Sequence, residues 1–154
     1  MPKIDLASIP QTNASTYPEP FDREVAGRRY RRLAPGAGLT RFGASHVVLK
    51  PGAWSSQRHW HNGEDELLVM VAGEAVLVED GGRSVIRPGD VVAWAAGTQN
   101  GHHLINESGA DCTFVVVSGG DRAAGGGYSD IDLTFTAQGY AHRDGTPYPA
   151  RRRP

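Results

Sequence analysis

Four of the six histidines fall into two tight groups, His59-Trp60-His61 and His102-His103. Side chains on a β-strand alternate faces, so His59 and His61 project the same way, about 6.6 Å apart along the strand, and Trp60 points to the other face. Two imidazoles at that spacing can converge on one ion at metal–nitrogen distances of about 2.0–2.1 Å. A carboxylate follows. Glu66 opens the apolar run ELLVMVAG after an Asn62-Gly63 turn, and it shares a face with Leu68 and Met70. A carboxylate on an interior face is costly without a cation or hydrogen-bond donors, and a divalent ion supplies that compensation. Alone, Glu66 reads as a solvated residue at a strand's rim; beside the histidine pair it reads as a ligand. Glu64 and Asp65 compete for that position, but Glu66 is the one that leads into the strand. The second histidine pair offers a further imidazole, from His102 or from His103.

These groups need a scaffold of short strands, and the sequence provides one. β-Branched and apolar runs occur at Ser45–Leu49, Leu67–Val71, Ala75–Val78, Ser84–Ile86, Val91–Trp94, His103–Ile105 and Thr113–Val117. Pro51-Gly52, Asp80-Gly81-Gly82 and Pro88-Gly89-Asp90 punctuate them as turns. That rhythm predicts a sandwich or barrel rather than a parallel α/β sheet. The 20 glycines and 10 prolines agree, since both residues destabilise long helices. Residues 1–35, with Pro2, Pro10, Pro18 and Pro20, read as an extended arm, and 36–119 as the barrel. GGDRAAGGG at 119–127 reads as a flexible end to it. The tail 120–154 keeps Tyr128, Ile131, Leu133, Phe135 and Tyr140, which should pack on its own barrel or on a partner.

A chain of 154 residues fits one domain. The net charge of −1 provides no global field for nucleic acid or anionic lipid, so neither partner is expected. Two basic clusters, Arg28-Arg29-Tyr30-Arg31-Arg32 and Arg151-Arg152-Arg153, read as a solvated face and a frayed end. Cys112 is the one cysteine and lies in an apolar run, which makes it a core thiol. No apolar stretch approaches the roughly 20 residues that span a membrane, and the first residues lack the apolar core of a signal peptide. A cytoplasmic location follows by default.

The motifs resemble the cupin superfamily. Its first motif corresponds here to Gly52, His59-Trp60-His61, Glu66 and Gly73, and its second to Gly89, Gly97, His102 and Asn106. RHWHNGEDE, GHHLIN, YSDIDL and HRDGTPYP look like small stand-alone bacterial cupins with a similar tail. Three departures stand out. Six residues separate Gly52 from His59 where five are usual, Ala95 replaces a proline, and Thr98–Gly101 lengthens the second motif. The His-x-x-x-Asn spacing of that motif begins at His102, and parity joins His102 with Leu104 and Asn106.

The resemblance implies an all-β, antiparallel jelly-roll barrel holding one divalent metal ion (Mn, Fe, Ni or Zn) on His59, His61, Glu66 and His102. Three histidines and one glutamate leave positions open on a six-coordinate ion. Oxygen activation and Lewis-acid work on a carbonyl are the two chemistries this permits, with Glu66 as ligand and proton carrier. Gln57, Met70, Trp94 and Asn106 are the residues expected to meet a small-molecule ligand. His103 should face away, and His46 and His142 lie outside the site. A non-catalytic ligand-binding module is the alternative, and a homodimer is the default assembly. None of the inward positions is cationic, which predicts a neutral or singly anionic substrate.

Overall fold

A computed structural model of the chain describes residues 3–149. Its strands are β1 (Arg28–Arg32), β2 (Gly43–Leu49), β3 (His59–His61), β4 (Glu64–Ala72), β5 (Ala75–Glu79), β6 (Gly82–Ile86), β7 (Val91–Trp94), β8 (His103–Ile105), β9 (Cys112–Gly120), β10 (Gly126–Tyr128), β11 (Thr134–Thr136) and β12 (Gly139–Ala141). They form antiparallel sheets in the orders β1-β2-β9-β4-β7, β6-β5-β8 and β12-β11-β10-β3. The two smaller sheets meet where β3 lies against the start of β8. There His59 and His102 exchange backbone hydrogen bonds of 3.2 and 2.9 Å. The result is the expected jelly-roll barrel, with one five-stranded wall facing a composite second wall. Among the described residues, no helix is long and apolar enough to cross a membrane.

All seven strands read from the sequence are present. Alternation along them builds the core: Val47, Leu49, Leu68, Met70, Leu77, Trp94, Leu104 and Phe114 point between the walls and are buried. Met70 was expected to meet ligand. It does face inward, but it is 1% exposed within this core. Four residues of strand, about 13 Å, separate it from Glu66, so parity was right and depth was wrong.

The extensions differ from expectation. The barrel starts at β1, inside the presumed arm, because RRYRR pairs in full register with β2 from Arg28↔Leu49 to Arg32↔Ser45. Charged residues on an edge strand block pairing with other chains, which explains why a basic knot can also be a strand. The glycine run does not end the barrel either. Residues 122–124 form a 3₁₀ turn, and β10 then pairs with β3 through Gly126↔His61 and Tyr128↔His59. A Cβ on Gly126 would lie 2.0 Å from the Trp60 carbonyl oxygen, and one on Gly127 would lie 2.4 Å from the Trp60 ring. Glycine is needed there for close approach, not for flexibility.

Arm and tail meet in a second core. Tyr17 and Val25 pack with Tyr128 and Leu133, joined by Phe21, Phe135, Tyr140 and Tyr148. The tail therefore packs on its own barrel. Arg58 pins it there, donating to both carboxylate oxygens of Asp130 at 2.8 and 2.7 Å and to Asp80 at 2.7 Å. Arg151, Arg152 and Arg153 lie outside the described residues.

Candidate metal centre

β3 is three residues long and carries His59 and His61 on its inner face, as parity requires. Across the barrel, Glu66 sits near the start of β4, paired with Trp94 on one side and Ser118 on the other. His102 arrives beside His59 through the backbone bridge. The ligand atoms of His59, His61 and Glu66 all lie within 4.8 Å of one another, a group that could hold a metal ion. Glu66 spans the histidines: its Oε2 is 3.3 Å from His61 Nε2, and its Oε1 is 3.6 Å from His102 Nε2.

The tautomers follow from the outer contacts. His59 Nδ1 donates to the Gln57 carbonyl at 3.0 Å, and His102 Nδ1 donates to the Asn100 carbonyl at 3.2 Å. His61 Nδ1 faces Glu64 Oε2 at 3.3 Å. His59 and His102 thus carry the proton on Nδ1, pointing outward, and each presents a bare Nε2 lone pair inward, while His61 Nδ1 is buried without a hydrogen-bond partner. His59 Nε2 and His61 Nε2 lie only 3.1 Å apart, and His102 Nε2 is buried with no hydrogen-bond partner. A buried unpaired acceptor is costly. A cation beside the His102 Nε2 satisfies it, so the residues fit a divalent metal.

The electrostatics agree. Burial pushes His59 down to about 3, against the opposing pull of the Glu66 charge, so its ring is neutral and able to ligate across the ordinary pH range. Burial alone would raise the Glu66 carboxyl. The His102 and His61 rings facing its two oxygens, with His59 beside them, outweigh that and hold it well below the usual carboxylate range. It is an anion in the site.

Several expected roles change. Gln57 precedes β3, where the chain is irregular and strand parity does not extend. Its amide donates to the Phe21 carbonyl at 2.9 Å and to Glu24 at 3.1 Å, so its side chain anchors the arm. Only its carbonyl serves the centre, through His59. Trp94, expected to meet ligand, spends one face on His102, stacked at 3.6 Å and 6°, and fixes that ring's plane. Asn106 is fully buried; it donates to the Leu49 and Ala110 carbonyls and accepts from the Ser108 amide and hydroxyl. With donors and acceptor spent, it clamps a loop. Asn106→Ala should therefore cost about 2–3 kcal/mol of stability by orphaning buried carbonyls, while leaving metal content unchanged. Urea unfolding and elemental analysis measure the two separately, and a loss of metal from folded protein would contradict the clamp.

His103 faces away as expected, with Nδ1 3.0 Å from the Ser56 carbonyl and its ring edge-on to Trp54 at 4.6 Å. His46 lies on the outer side of β2. His142 contacts Asp132 at 2.8 Å and stacks on Tyr148 in the tail.

Two neighbours of the centre were not anticipated, and a third, Glu64, was expected only as a competitor of Glu66. Tyr128 stacks near His59 at 5.8 Å and Phe135 meets His61 at 5.5 Å. Both come from the tail, whose pairing with β3 no local pattern announces. Glu64 was legible, since it shares the parity of Glu66. Its side chain is only 11% exposed, and its Oε2 lies 3.3 Å from His61 Nδ1, on the far side of that ring from Glu66. Glu64→Gln should weaken metal affinity by about tenfold with no loss of fold, measured by competition with a chelator. Unchanged affinity would mean that His61 needs no carboxylate to hold its tautomer.

Comparison with known proteins gives the family. A protein from Silicibacter pomeroyi, named as a sugar phosphate isomerase from a cupin superfamily, is 40% identical, with 97% of this chain and 98% of that one covered at a TM-score of 0.89. This chain belongs to the cupin superfamily. The family description Cupin domain matches residues 45–118, which leaves β1 and β10–β12 as additions to the shared barrel. A Cupin 2 conserved barrel domain protein from Salinispora arenicola is 26% identical over 80% of this cupin and 90% of that chain, at a TM-score of 0.56. The polyketide cyclase RemF from Streptomyces resistomycificus is 22% identical over 77% and 79%, at a TM-score of 0.62, and shows the fold alone. No curated protein matches this cupin.

Proposed function

We propose that this cupin is a metal-dependent small-molecule enzyme of isomerase or lyase type. One divalent ion is held by His59, His61, Glu66 and His102. The observation that carries the reading is the gathering of three imidazoles at the Glu66 carboxylate, with Nδ1 of His59 and of His102 engaged outward on backbone carbonyls. A bound metal supplies Lewis acidity toward a carbonyl or hydroxyl oxygen. Glu66 balances its charge and is the carboxylate placed to accept a proton from bound substrate. Tyr128 and Phe135 give His59 and His61 an apolar flank that limits water. The Silicibacter pomeroyi relative's name supports the isomerase class.

The substrate class is a hydroxy-carbonyl compound without a phosphate. Glu64 and Glu66 bring two negative charges to the centre, which one divalent ion only neutralises. Arg58, the cation nearest in sequence, is occupied by Asp130 and Asp80. A phosphate dianion normally needs a free arginine or lysine. The relative's name makes sugar phosphates the direct rival. Metal-loaded protein should be stabilised, in a thermal-shift screen, by unphosphorylated sugars or hydroxy-acids, because a ligand bound only to the folded state raises apparent stability. Stabilisation by sugar phosphates alone would sink the substrate class. Tight binding with no turnover would move the protein to the non-catalytic ligand-binding alternative, and oxygen consumption with substrate would move it to the oxygenases.

A further inference from the structure

Two stretches of this chain depart from or extend the cupin pattern: the lengthened loop Thr98–Gly101 before His102 and the tail that follows the barrel. The structure brings them together. Gly101 is buried against the tail, where a Cβ would lie 2.0 Å from Ser129 Oγ, so a side chain there would displace Ser129. Ser129 in turn donates its amide to the Arg58 carbonyl at 3.0 Å. Asn100 is tied at both ends of its side chain. Its Oδ1 accepts from the Asp80 amide at 2.8 Å, and its Nδ2 donates to Glu79 at 3.2 Å. The Asp80 carboxylate is held by Arg58, whose other two nitrogens grip Asp130 of the tail. Arg58 is only 17% exposed and its pairing with Asp130 is bidentate, which sets this cluster above an ordinary surface ion pair. The contacts thus run from Asp130 through Arg58 and Asp80 to Asn100. The last link is the Asn100 carbonyl, which accepts from His102 Nδ1 at 3.2 Å.

That carbonyl decides what His102 turns to the centre. Trp94 stacks on the ring at 3.6 Å and fixes its plane, but a half-turn about Cβ–Cγ returns the ring to the same plane. The stack survives such a turn, and Cε1 then stands where Nε2 stood. Since Nε2 has no hydrogen-bond partner, the bond to Asn100 is what distinguishes the two orientations, and it also keeps the proton on Nδ1. His59 is independent of the cluster, because its Nδ1 is held by the Gln57 carbonyl two residues away. We propose that Arg58 is a positioning residue for His102: by binding Asp130 and Asp80 together it holds Asn100, whose carbonyl keeps His102 Nε2 turned to the metal centre. The docked tail thereby sets one limb of that centre. This role rests on His102 acting as a metal ligand, as in the function proposed above.

The test uses the full chain, stripped of metal by chelator, as wild type, Arg58→Gln, Asp130→Asn, Asn100→Ala and Arg83→Gln. Arg83 pairs with Glu107 outside this cluster and controls for loss of an ion pair alone. Long-range proton–nitrogen NMR, at a pH where the imidazoles are neutral, reads each tautomer. His102 should be the Nδ1–H form in wild type and Arg83→Gln, and a mixture of tautomers in Arg58→Gln and Asn100→Ala, with His59 unchanged throughout. Cobalt(II) affinity, by competition with a chelator, should fall about tenfold in those two variants. Asp130→Asn should move both readouts in the same direction by less, and should add nothing to Arg58→Gln in a double variant, as members of one network do. Being isosteric and on a side chain 58% exposed, it also carries the test if Arg58→Gln does not fold. A His102 tautomer unmoved in all these variants overturns the proposal, as does a His59 that changes with it, the mark of general loosening. A wild type whose His102 responds as expected but that binds no cobalt supports the positioning of His102 and overturns the metal reading.

Discussion

Purified protein should carry about one divalent metal ion per chain, and His61→Ala or Glu66→Ala should remove it. The expected loss in affinity exceeds about 100-fold for either change, since altering outer partners of metal ligands alone costs about 10–100-fold. The reason lies in the contacts of Glu66. Its two oxygens face His61 and His102, so removing it takes away the anion that holds the site's charge balance. His102→Ala should behave like these variants and His103→Ala should not. The imidazole of His102 has a buried Nε2 without a partner, whereas His103 is already engaged with Ser56 and Trp54. Elemental analysis of the four folded variants is the measurement. Wild-type metal content in both His61→Ala and Glu66→Ala would remove the basis for any metal chemistry here.

Metal-free protein should lose stability steadily as pH falls from 7 toward 4. His59 has a folded pKa near 3, lowered by burial, against an unfolded value of 6.5. Between those values the unfolded chain binds a proton that the folded chain refuses, so acid favours unfolding. The contribution is whole above pH 6.5 and is lost as pH drops toward 3. His103, lowered by burial, adds in the same direction, and so does Glu66, whose depressed pKa makes its anion a folded-state asset that acid removes. Each such group can cost up to about 1.4 kcal/mol per pH unit. The partial exposure of the His59 ring makes that an upper limit. Urea unfolding in chelator at pH 7 and pH 5 should differ by about 1–3 kcal/mol. Saturating metal should raise stability at pH 7 and lose most of its effect by pH 5, where protons compete for the ligands. Equal stability at both pH values would mean that the imidazoles titrate freely and are not held in a water-poor site.

His59, His61 and Glu66 were legible in the sequence because strand parity is local. The pleat alone puts residues 59 and 61 on one face, and the apolar run after Glu66 declares which face is interior. The seven central strands were legible for the same reason, each being an alternating run closed by turn residues. The second motif was readable as far as His102, although the choice over His103 leaned on a family resemblance, which the buried unpaired Nε2 of His102 now supports. Four matters belonged to the tertiary structure. Met70 obeyed parity but lies too deep, because period-2 reasoning gives a face and not a height. Gln57 and Asn106 looked available for ligand, but their amides are taken by Phe21, Leu49 and Ala110, partners that long loops bring near. RRYRR and GGG became strands because β2 and β3 offered unpaired edges, a non-local demand that outweighs composition. Tyr128 and Phe135 reached the metal centre by that same pairing. A sequence carries the periodicities of its own elements, but which edges and loops meet depends on the closed barrel, and so the candidate ligands could be placed on one face in advance and their surroundings could not.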